Sequence, residues 1–379
     1  MLTETETTVA EQDTTTDSLR EERQPAREML STSKTAQMLN VSDEAVQLAH
    51  HHGIIDLHVD SMIPVRLYGY NPLERNRGGP LGRHFVGHMD IPRAIDGGLS
   101  GAMWSITTNP LRTARGRWLT FLNNLRRFRD IIDASRGSMA LVRTHKEFVD
   151  ARSRGAIASM IAIQGGNALD AAPEGFASIP DHAVIRVTLV HLTNSQVGAT
   201  SSPASLLNFD NGLGERGCEL VRELDDARCF VDLAHIHPQA FWDAVRVHDP
   251  SLPLIVTHTG VRAVKDHWRN LDDSQIRVVA DTGGTIGILF HSGFLRPRGK
   301  PNDCSLVVDH IQHVIDVVGV DYVSIGSDFD GAISPTPDLS DATTYPRLVQ
   351  SMLDRKWTED RISKVLGGNF LRVLKMMRP

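Results

Sequence analysis

The segment IIDLHVD, residues 54–60, places polar side chains inside an otherwise apolar run. Successive side chains of a β-strand alternate between its two faces, so Asp56, His58 and Asp60 would share one face. Imidazole and carboxylate groups on one face are suitable ligands for Zn²⁺ or another divalent first-row ion. Such an ion lowers the pKa of a bound water to about 7 and polarises a carbonyl group. The segment therefore predicts a metal site, with no role predicted for Asp56, which lies deeper in the strand.

Further polar side chains stand where apolar runs give way to loops. They are His58, Asp60, Gln164, His191, His235, His258, Asp328 and Asp330. A single histidine in such a place is most often a hydrogen-bonded core residue. Four histidines at separate strand ends, together with a His-x-Asp on the first strand, instead favour one shared site.

The elements that must position these residues are eight apolar, strand-like runs that alternate with helical patterns. The runs are GIIDLHV, GLSGAMWSITT, ASMIAIQGG, AVIRVTLVHLT, CFVDLAHI, LPLIVTHTG, GTIGILFH and YVSIGSDFDG. The alternation predicts parallel β/α units, and a (β/α)₈ TIM-type barrel of the metallo-dependent hydrolase type is the most economical closure. Its C-terminal strand ends form one mouth, where the polar residues would converge. A doubly wound open sheet is the alternative, but no GxGxxG follows the first strand.

The sequence divides into three parts. Residues 1–25, rich in Thr, Glu and Asp, are predicted to be a disordered tail. Residues 26–52 are predicted to be a helical extension in which Ser42 caps a helix. Residues 53–379 would form the catalytic barrel.

Composition excludes several functional classes. Charged residues are 23% of the chain and the net charge is −6, which gives no basic footprint for nucleic acid. No run of about 18 apolar residues exists that would span a membrane. The N-terminus lacks the pattern of a secretory signal. Three cysteines without a CxxC pair favour a reducing compartment, and the sequence predicts a cytoplasmic protein.

The motifs together resemble the renal (membrane) dipeptidase family, peptidase family M19, whose members are zinc peptidases on an amidohydrolase-like barrel. The resemblance covers about residues 50–375. It is carried in family order by IIDLHVD, HMDIPRAIDGGLSGAMWSI, IQGGNAL, LVHLTN, VDLAHI, VTHTG, the RN of HWRNLDD, GSDFDG and GGNFLRVL.

The resemblance implies a role for several residues. His58 and Asp60 would hold one zinc ion, and His235 and His258 would hold a second. His191 would polarise the scissile carbonyl and stabilise the oxyanion.

On the substrate side, the resemblance implies that Arg269, with Asn270 beside it, binds the substrate carboxylate, a bidentate task suited to a guanidinium. Asp328 would carry protons beside the attacking water. The implied substrate is a dipeptide or a related small amide, and substrate side chains would be selected by loops such as residues 67–84. A homodimer is a possible partner arrangement that no feature of the sequence identifies.

One position departs from the family pattern. The third strand of the family ends in Glu-Gly-Gly, with the glutamate bridging both metals, whereas this chain has Gln164-Gly165-Gly166. A neutral amide offers one oxygen to a metal, and its NH₂ group only donates hydrogen bonds. Three outcomes follow: one Zn²⁺, which is favoured; two weakly bound ions; or none.

Three functions remain open at this point. The first is a metal-dependent dipeptidase-like hydrolase in which Gln164 alters the metal centre. The second is a biosynthetic tailoring enzyme with a different reaction on the same scaffold. The third is a ligand-binding homologue that does not hydrolyse its ligand.

Overall fold

A computed structural model describes residues 31–76, 85–203 and 211–379. The tail predicted at residues 1–25 lies outside these residues. So do residues 26–30 of the predicted helical extension and residues 77–84 of the predicted specificity loop.

Nine parallel strands form a single sheet within the described residues, and eight of them close into a barrel. The strands are β1 (Ile54–Val59), β2 (Leu99–Thr107), β3 (Met139–Leu141), β4 (Ile157–Gln164), β5 (Val184–Thr188), β6 (Phe230–Asp232), β7 (Ile255–Thr259), β8 (Thr285–Ile288) and β9 (Val323–Ile325). The ring closes because β2 pairs with both β1 and β4, and β1 also pairs with β9. β3 pairs with β4 outside the ring. The predicted (β/α)₈ barrel is confirmed, with each of the eight predicted runs supplying one barrel strand.

Helices surround the barrel, most of them between consecutive strands. They are α1 (Thr32–Leu39), α2 (Asp43–His52), α3 (Met62–Tyr68), α4 (Ile91–Asp96), α5 (Ala114–Ala134), α6 (His145–Ser153), α7 (Glu215–Asp226), α8 (Pro238–Val247), α9 (Asp273–Asp281), α10 (Ser292–Leu295), α11 (Ser305–Val318), α12 (Tyr345–Asp354), α13 (Glu359–Ser363) and α14 (Asn369–Met377). Short 3₁₀ turns occupy Gly166–Leu169, Gly175–Ser178, Pro180–His182, Val320–Tyr322, Pro337–Leu339 and Ala342–Thr344, and a π-turn, Lys364–Gly368, joins α13 to α14. No helix among the described ranges is long and apolar enough to cross a membrane.

Register and burial explain how the barrel presents its mouth. Every residue of β4 is buried, as expected for a parallel strand covered on both faces. The pairing aligns Gln164, the last residue of β4, with Thr107 on one side and Thr188 on the other. Gln164 therefore lies at the C-terminal rim, where the sequence placed the site.

The two N-terminal helices pack on the barrel wall. Ser42 caps α2 as predicted, since its Oγ accepts a hydrogen bond from Ala45 N at 3.1 Å. The same hydroxyl donates to Gln350 Oε1 of α12 at 2.7 Å. Ala45 and Ala49 are fully buried in the main core. At Gly53 the backbone adopts φ +72°, and this left-handed residue lets α2 lead directly into β1.

Candidate metal centre

Strand ends bring imidazole and carboxylate groups together at the C-terminal rim. His58 Nε2, in β1, is 3.4 Å from Asp60 Oδ2. His258 Nε2, in β7, is 2.8 Å from Nε2 of His235, which follows β6. The stacked rings of His58 and His258, with centroids 3.6 Å apart, join the two pairs into one cluster. Asp328, after β9, places Oδ1 3.7 Å from His58 Nε2.

Gln164 lies at the centre of this cluster, and the two ends of its amide face different groups. The orientation that satisfies the amide best has the NH₂ group toward Asp60, where it donates to Oδ1 and Oδ2, both 3.2 Å away. The amide oxygen then accepts from His58 Nε2 at 3.2 Å and His235 Nε2 at 3.3 Å. In the opposite orientation, NH₂ faces His235 Nε2 at 3.3 Å and His258 Nε2 at 3.4 Å. The side chain thus contacts every one of the four predicted ligands.

Left-handed backbone conformations position two residues of the cluster. His235 has φ +65° and Asp328 has φ +64°. Such angles are uncommon outside glycine and concentrate at functional sites. The loop of Asp328 is tied to β1, since Asp328 N donates to His58 O at 3.1 Å and Asp60 N donates to Phe329 O at 2.8 Å. The strain is therefore held by hydrogen bonds to the strand that carries His58.

The second nitrogen of His58 faces a buried arginine. Arg186 Nη2, in β5, is 3.2 Å from His58 Nδ1 and donates to Ser105 Oγ of β2 at 2.6 Å. Ser105 Oγ is itself 3.3 Å from His58 Nδ1. A guanidinium only donates, whereas a hydroxyl donates and accepts. Without an ion, Nε2 of His58 carries the proton that it donates to the Gln164 oxygen. When Nε2 binds a metal, Ser105 Oγ can accept the proton that Nδ1 then carries.

The second nitrogen of His258 is oriented by a buried carboxylate acting through a threonine. Thr257 Oγ1 donates to Asp232 Oδ2 at 2.7 Å and lies 2.9 Å from His258 Nδ1. Because its proton is used on Asp232, Thr257 Oγ1 accepts from Nδ1–H and leaves Nε2 of His258 unprotonated. Asp232 also accepts from Thr188 Oγ1 at 2.6 Å and Arg186 Nη1 at 3.0 Å. Burial alone would raise the pKa of Asp232. The charge of Arg186 and these hydrogen bonds lower it by more, so the pKa of Asp232 is shifted below its usual value.

Asp56, which received no predicted role, holds the loop after β9 against β1. Its Oδ1 accepts from Ser327 N at 2.9 Å and His58 N at 3.1 Å, and Tyr345 Oη donates to Oδ2 at 2.5 Å. Asp330 Oδ1 likewise accepts from His88 N at 2.8 Å. These carboxylates position the loop that carries Asp328.

Sequence reasoning did not identify Arg186, Asp232 or Ser105. One signal was available, because a charged residue within a short run of buried β-branched residues must have a partner inside the barrel. The identity of that partner depends on strand register.

The titration behaviour of the cluster is that of a site suited to a cation. Burial raises the pKa of Asp60 to about 6, and burial together with the charge of Asp60 raises the pKa of Asp328 well above its usual range. Burial also lowers the pKa of His58, His235 and His258 well below the usual range. The histidines are therefore neutral, as metal ligands must be.

The distances between the possible ligand atoms also support a metal site. Ligand atoms of His58, His258 and Asp328 lie within 4.8 Å of one another. Neutral imidazoles beside destabilised carboxylates fit a divalent ion, whose charge would offset the buried negative charge.

The remaining predicted site residues surround the cluster. His191 stands edge-on to His235 with centroids 4.7 Å apart, and burial lowers its pKa to about 4. Arg269 is buried, and its Nη2 donates to His258 O at 2.7 Å while its Nε has no hydrogen-bond partner. Its positive charge contributes to the lowered pKa values of the neighbouring histidines. Asn270 Nδ2 bonds the Lys265 and Phe294 carbonyls, both at 2.9 Å, so it stabilises the loop, and its role in substrate binding stays a prediction.

Comparisons with known proteins agree with this architecture. A curated relative from Klebsiella pneumoniae, described as an uncharacterised protein in the pqqA 5′ region, is 35% identical over 167 residues. That match covers 43% of this chain and 60% of the relative, so it spans less than two thirds of the relative's length.

Solved structures match over most of their length. A structure described as the dipeptidase AC, a metallopeptidase of family M19, has TM-score 0.76 and 25% identity, covering 85% of this chain and 98% of that one. A Rhodobacter sphaeroides metallopeptidase, bound to a phosphinate mimic of the dipeptide L-Ala-D-Ala, has TM-score 0.75 and 24% identity over 86% and 99%. The probable dipeptidase PvdM from Pseudomonas aeruginosa has TM-score 0.78 and 17% identity over 91% and 99%. The last two show likeness of fold.

A family model described as membrane dipeptidase (peptidase family M19) matches residues 42–378, nearly the whole described barrel. The chain belongs to this family.

Proposed function

We propose that the protein is a metal-dependent hydrolase that cleaves a dipeptide or a related small amide, and that Gln164 alters its metal centre. The observation that carries the proposal is the convergence of His58, Asp60, His235 and His258 at one rim, with nitrogen and oxygen atoms 2.8–3.4 Å apart within each pair. These residues, with the oxygen of Gln164, would hold Zn²⁺, with one ion favoured over two. Bound there, the ion would lower the pKa of a water and polarise the amide carbonyl.

The chain's own groups supply the remaining chemistry. His191 is neutral because burial lowers its pKa to about 4, so it can donate an N–H to the carbonyl oxygen as negative charge develops there. Asp328, whose pKa burial raises well above the usual range, can accept and return a proton. Arg269 offers an unused buried Nε–H, which supports binding of a substrate carboxylate.

The resemblance to the dipeptide-mimic complex supports a small dipeptide-like substrate, since that relative binds a mimic of L-Ala-D-Ala. The zinc identity, the cytoplasmic location and a homodimer stay predictions from the sequence.

A second function is favoured by Gln164 itself. The exchange removes the negative charge that the family places between its two metals, and the amide is satisfied by Asp60, His58 and His235 without any ion. A tailoring reaction on the same scaffold would then replace ordinary dipeptide hydrolysis.

The test is hydrolysis by the purified full chain after metal removal and reconstitution with Zn²⁺. Amino-acid release is measured on a panel of dipeptides that includes L-Ala-D-Ala, for the wild type and Gln164→Glu, with Gln37→Glu on the exposed face of α1 as the matched control. Zinc-dependent release by the wild type is the expected result. Release by Gln164→Glu alone would favour the tailoring enzyme, and release by neither variant would refute the dipeptidase assignment.

A further inference from the structure

A second cluster of possible metal ligands lies where the end of α2 meets the start of α13. His52 Nε2, at the end of α2, is 2.9 Å from Glu359 Oε1 of α13. The ring of His51 stands edge-on to the ring of His52, with centroids 4.8 Å apart. One possible ligand atom from each of the three residues lies within 4.8 Å of the other two, which makes this one of two such groups of three in the described ranges.

The position of this cluster separates it from the proposed metal centre. α2 ends at His52 and β1 begins at Ile54, so the cluster lies at the start of β1, whereas His58 lies near the end of that strand. A strand rises about 3.3 Å per residue, so the length of β1 places roughly 17 Å between the cluster and the rim. In barrels of this kind the N-terminal face contributes to stability, and the chemistry takes place at the opposite face.

A hydrogen bond between His52 and Glu359 does not account for the position of His51. Successive residues of an α-helix point about 100° apart, so neighbouring histidines would be expected to face in different directions. Here both histidines belong to the last turn of α2, yet a nitrogen of each comes within 4.8 Å of the same carboxylate. His51 and Glu359 are exposed and His52 is half-buried, so an ion from solution can reach all three side chains.

Two imidazoles and a carboxylate form a ligand set that suits Zn²⁺. Zinc binds these groups at about 2.0–2.2 Å in a tetrahedral arrangement, which places its ligand atoms about 3.3 Å apart. The 2.9 Å between His52 Nε2 and Glu359 Oε1 is close to that separation, and the exposed His51 ring can complete the set by rotation of its side chain. The ring of His52 would carry its proton on Nδ1 when Nε2 binds the ion.

Two local charges favour a cation at this cluster and one opposes it. Glu359 is an anionic ligand, and the C-terminal end of the ten-residue helix α2 has the partial negative charge of the helix dipole. Arg152 opposes the ion, since its Nη2 donates to His51 O at 2.6 Å and brings a positive charge close to the cluster. The charge of Glu359 is therefore essential to the affinity of the site.

We propose that His51, His52 and Glu359 bind Zn²⁺, with water as the fourth ligand, and that the ion fastens α2 to α13. Glu359 is 307 residues from His52 along the chain, so the unfolded chain does not hold the three ligands together. An ion that binds only the folded protein stabilises it by mass action. Because α2 leads through Gly53 directly into β1, the ion would also fix the start of the strand that carries His58.

The test counts zinc in the purified full chain and in three variants. His51→Gln and Glu359→Gln each remove one ligand. His50→Gln is the matched control, since His50 lies in the same helical turn but its Nε2 is 3.2 Å from Asp96 O. Each protein is freed of metal and titrated with Zn²⁺ in a chelator buffer, and zinc per chain is measured by elemental analysis. Thermal midpoints are recorded with and without Zn²⁺, and circular dichroism verifies folding.

The wild type and His50→Gln should bind one zinc ion per chain more tightly, by at least about tenfold, than His51→Gln and Glu359→Gln, because even an outer partner of a metal ligand is worth about 10–100-fold in affinity. The rise in thermal midpoint on adding Zn²⁺ should be smaller in the two ligand variants. Zinc-edge anomalous scattering from wild-type crystals should place an ion about 2.0–2.2 Å from His52 Nε2 and Glu359 Oε1.

Equal zinc binding by all four proteins would overturn the proposal, and so would an equal loss of zinc in His50→Gln. If a ligand variant does not fold, an anomalous map with no ion between His51, His52 and Glu359 would overturn it instead. These results would leave the rim and its proposed chemistry untouched. Absence of dipeptide hydrolysis in every zinc-loaded protein would refute the proposed function and leave this zinc site intact.

Discussion

Replacing Ser105 with alanine is expected to weaken metal binding although Ser105 is not a proposed ligand. For His58 to bind an ion through Nε2, its Nδ1 must carry the proton and donate it. Arg186 Nη2, 3.2 Å from Nδ1, is a donor and cannot accept that proton. Ser105 Oγ, 3.3 Å away, can accept it. In the alanine variant a protonated Nδ1 would face the guanidinium, so the tautomer that leaves Nε2 free for a metal would be destabilised.

The magnitude follows from leaving one buried donor without a partner, which costs about 1–3 kcal/mol. Since each 1.4 kcal/mol changes an equilibrium constant tenfold, the affinity for Zn²⁺ should fall by about 5- to 140-fold. The change in charge is zero and the change in volume is one oxygen atom, so the fold and the other ligands should be preserved.

The assay is competition for Zn²⁺ against a chromophoric chelator, accompanied by ¹⁵N NMR of the His58 ring, which distinguishes the two tautomers. The matched control is Ser159→Ala, which removes a buried strand hydroxyl whose Oγ donates to Ile157 O at 3.1 Å. If the Zn²⁺ affinity of Ser105→Ala lay within twofold of this control, the tautomer argument would be refuted.

Three further predictions follow from the same contacts. In chelator at pH 8, Gln164→Glu should lose up to about 4 kcal/mol of unfolding free energy, because the new carboxylate and Asp60 are two like charges about 4 Å apart at an effective dielectric of about 20. Excess Zn²⁺ should restore the lost stability, and a denaturation midpoint equal to that of Gln37→Glu would contradict this prediction. Arg269→Lys should raise KM for dipeptides about 10- to 100-fold, because it loses a charge-assisted hydrogen bond worth about 1.5–3 kcal/mol. The KM for C-terminally amidated substrates should not change, and an equal rise in KM for both kinds of substrate would contradict the prediction. Burial lowers the pKa of His310 to about 4, so as the pH falls this histidine is protonated in the unfolded chain before it is protonated in the folded protein. The free energy of unfolding should therefore decrease by up to about 3 kcal/mol between about pH 6.5 and pH 4. Denaturant unfolding of His310→Gln should show a flatter pH profile over that window, and an unchanged slope would contradict the assignment.

The barrel and its rim were predictable because each barrel strand lies in a largely apolar run, and most of these runs end in a polar residue. β3 (Met139–Leu141) was missed because it lies in a short apolar stretch, whereas β6 and β9, which are also three residues long, lie within longer apolar runs. The positions of His58 and His258 at strand ends also follow from the sequence, since the carboxyl ends of parallel strands share one rim.

The hydrogen bonds behind the cluster were not predictable. Arg186, Ser105 and His58 come from three different strands, and their contact depends on the stagger between those strands. The prediction that Asn270 binds substrate came from its place in the motif, which does not reveal that its Nδ2 bonds two backbone carbonyls. Single residues within a motif are therefore less predictable than the rim they occupy.

On the proposed metal centre, the balance of buried charge would disfavour a second ion. Arg186 and Asp232 form a buried pair, with 3.0 Å between Nη1 and Oδ2, and largely neutralise each other. This leaves Asp60 and Asp328 to face a cation, and two carboxylates match the charge of one divalent ion. A second ion would add two positive charges beside the guanidinium of Arg269, and Gln164 cannot supply the negative charge that would offset them. A glutamate at position 164 would supply one such charge, so under the proposed function the single exchange would lower the affinity for a second ion.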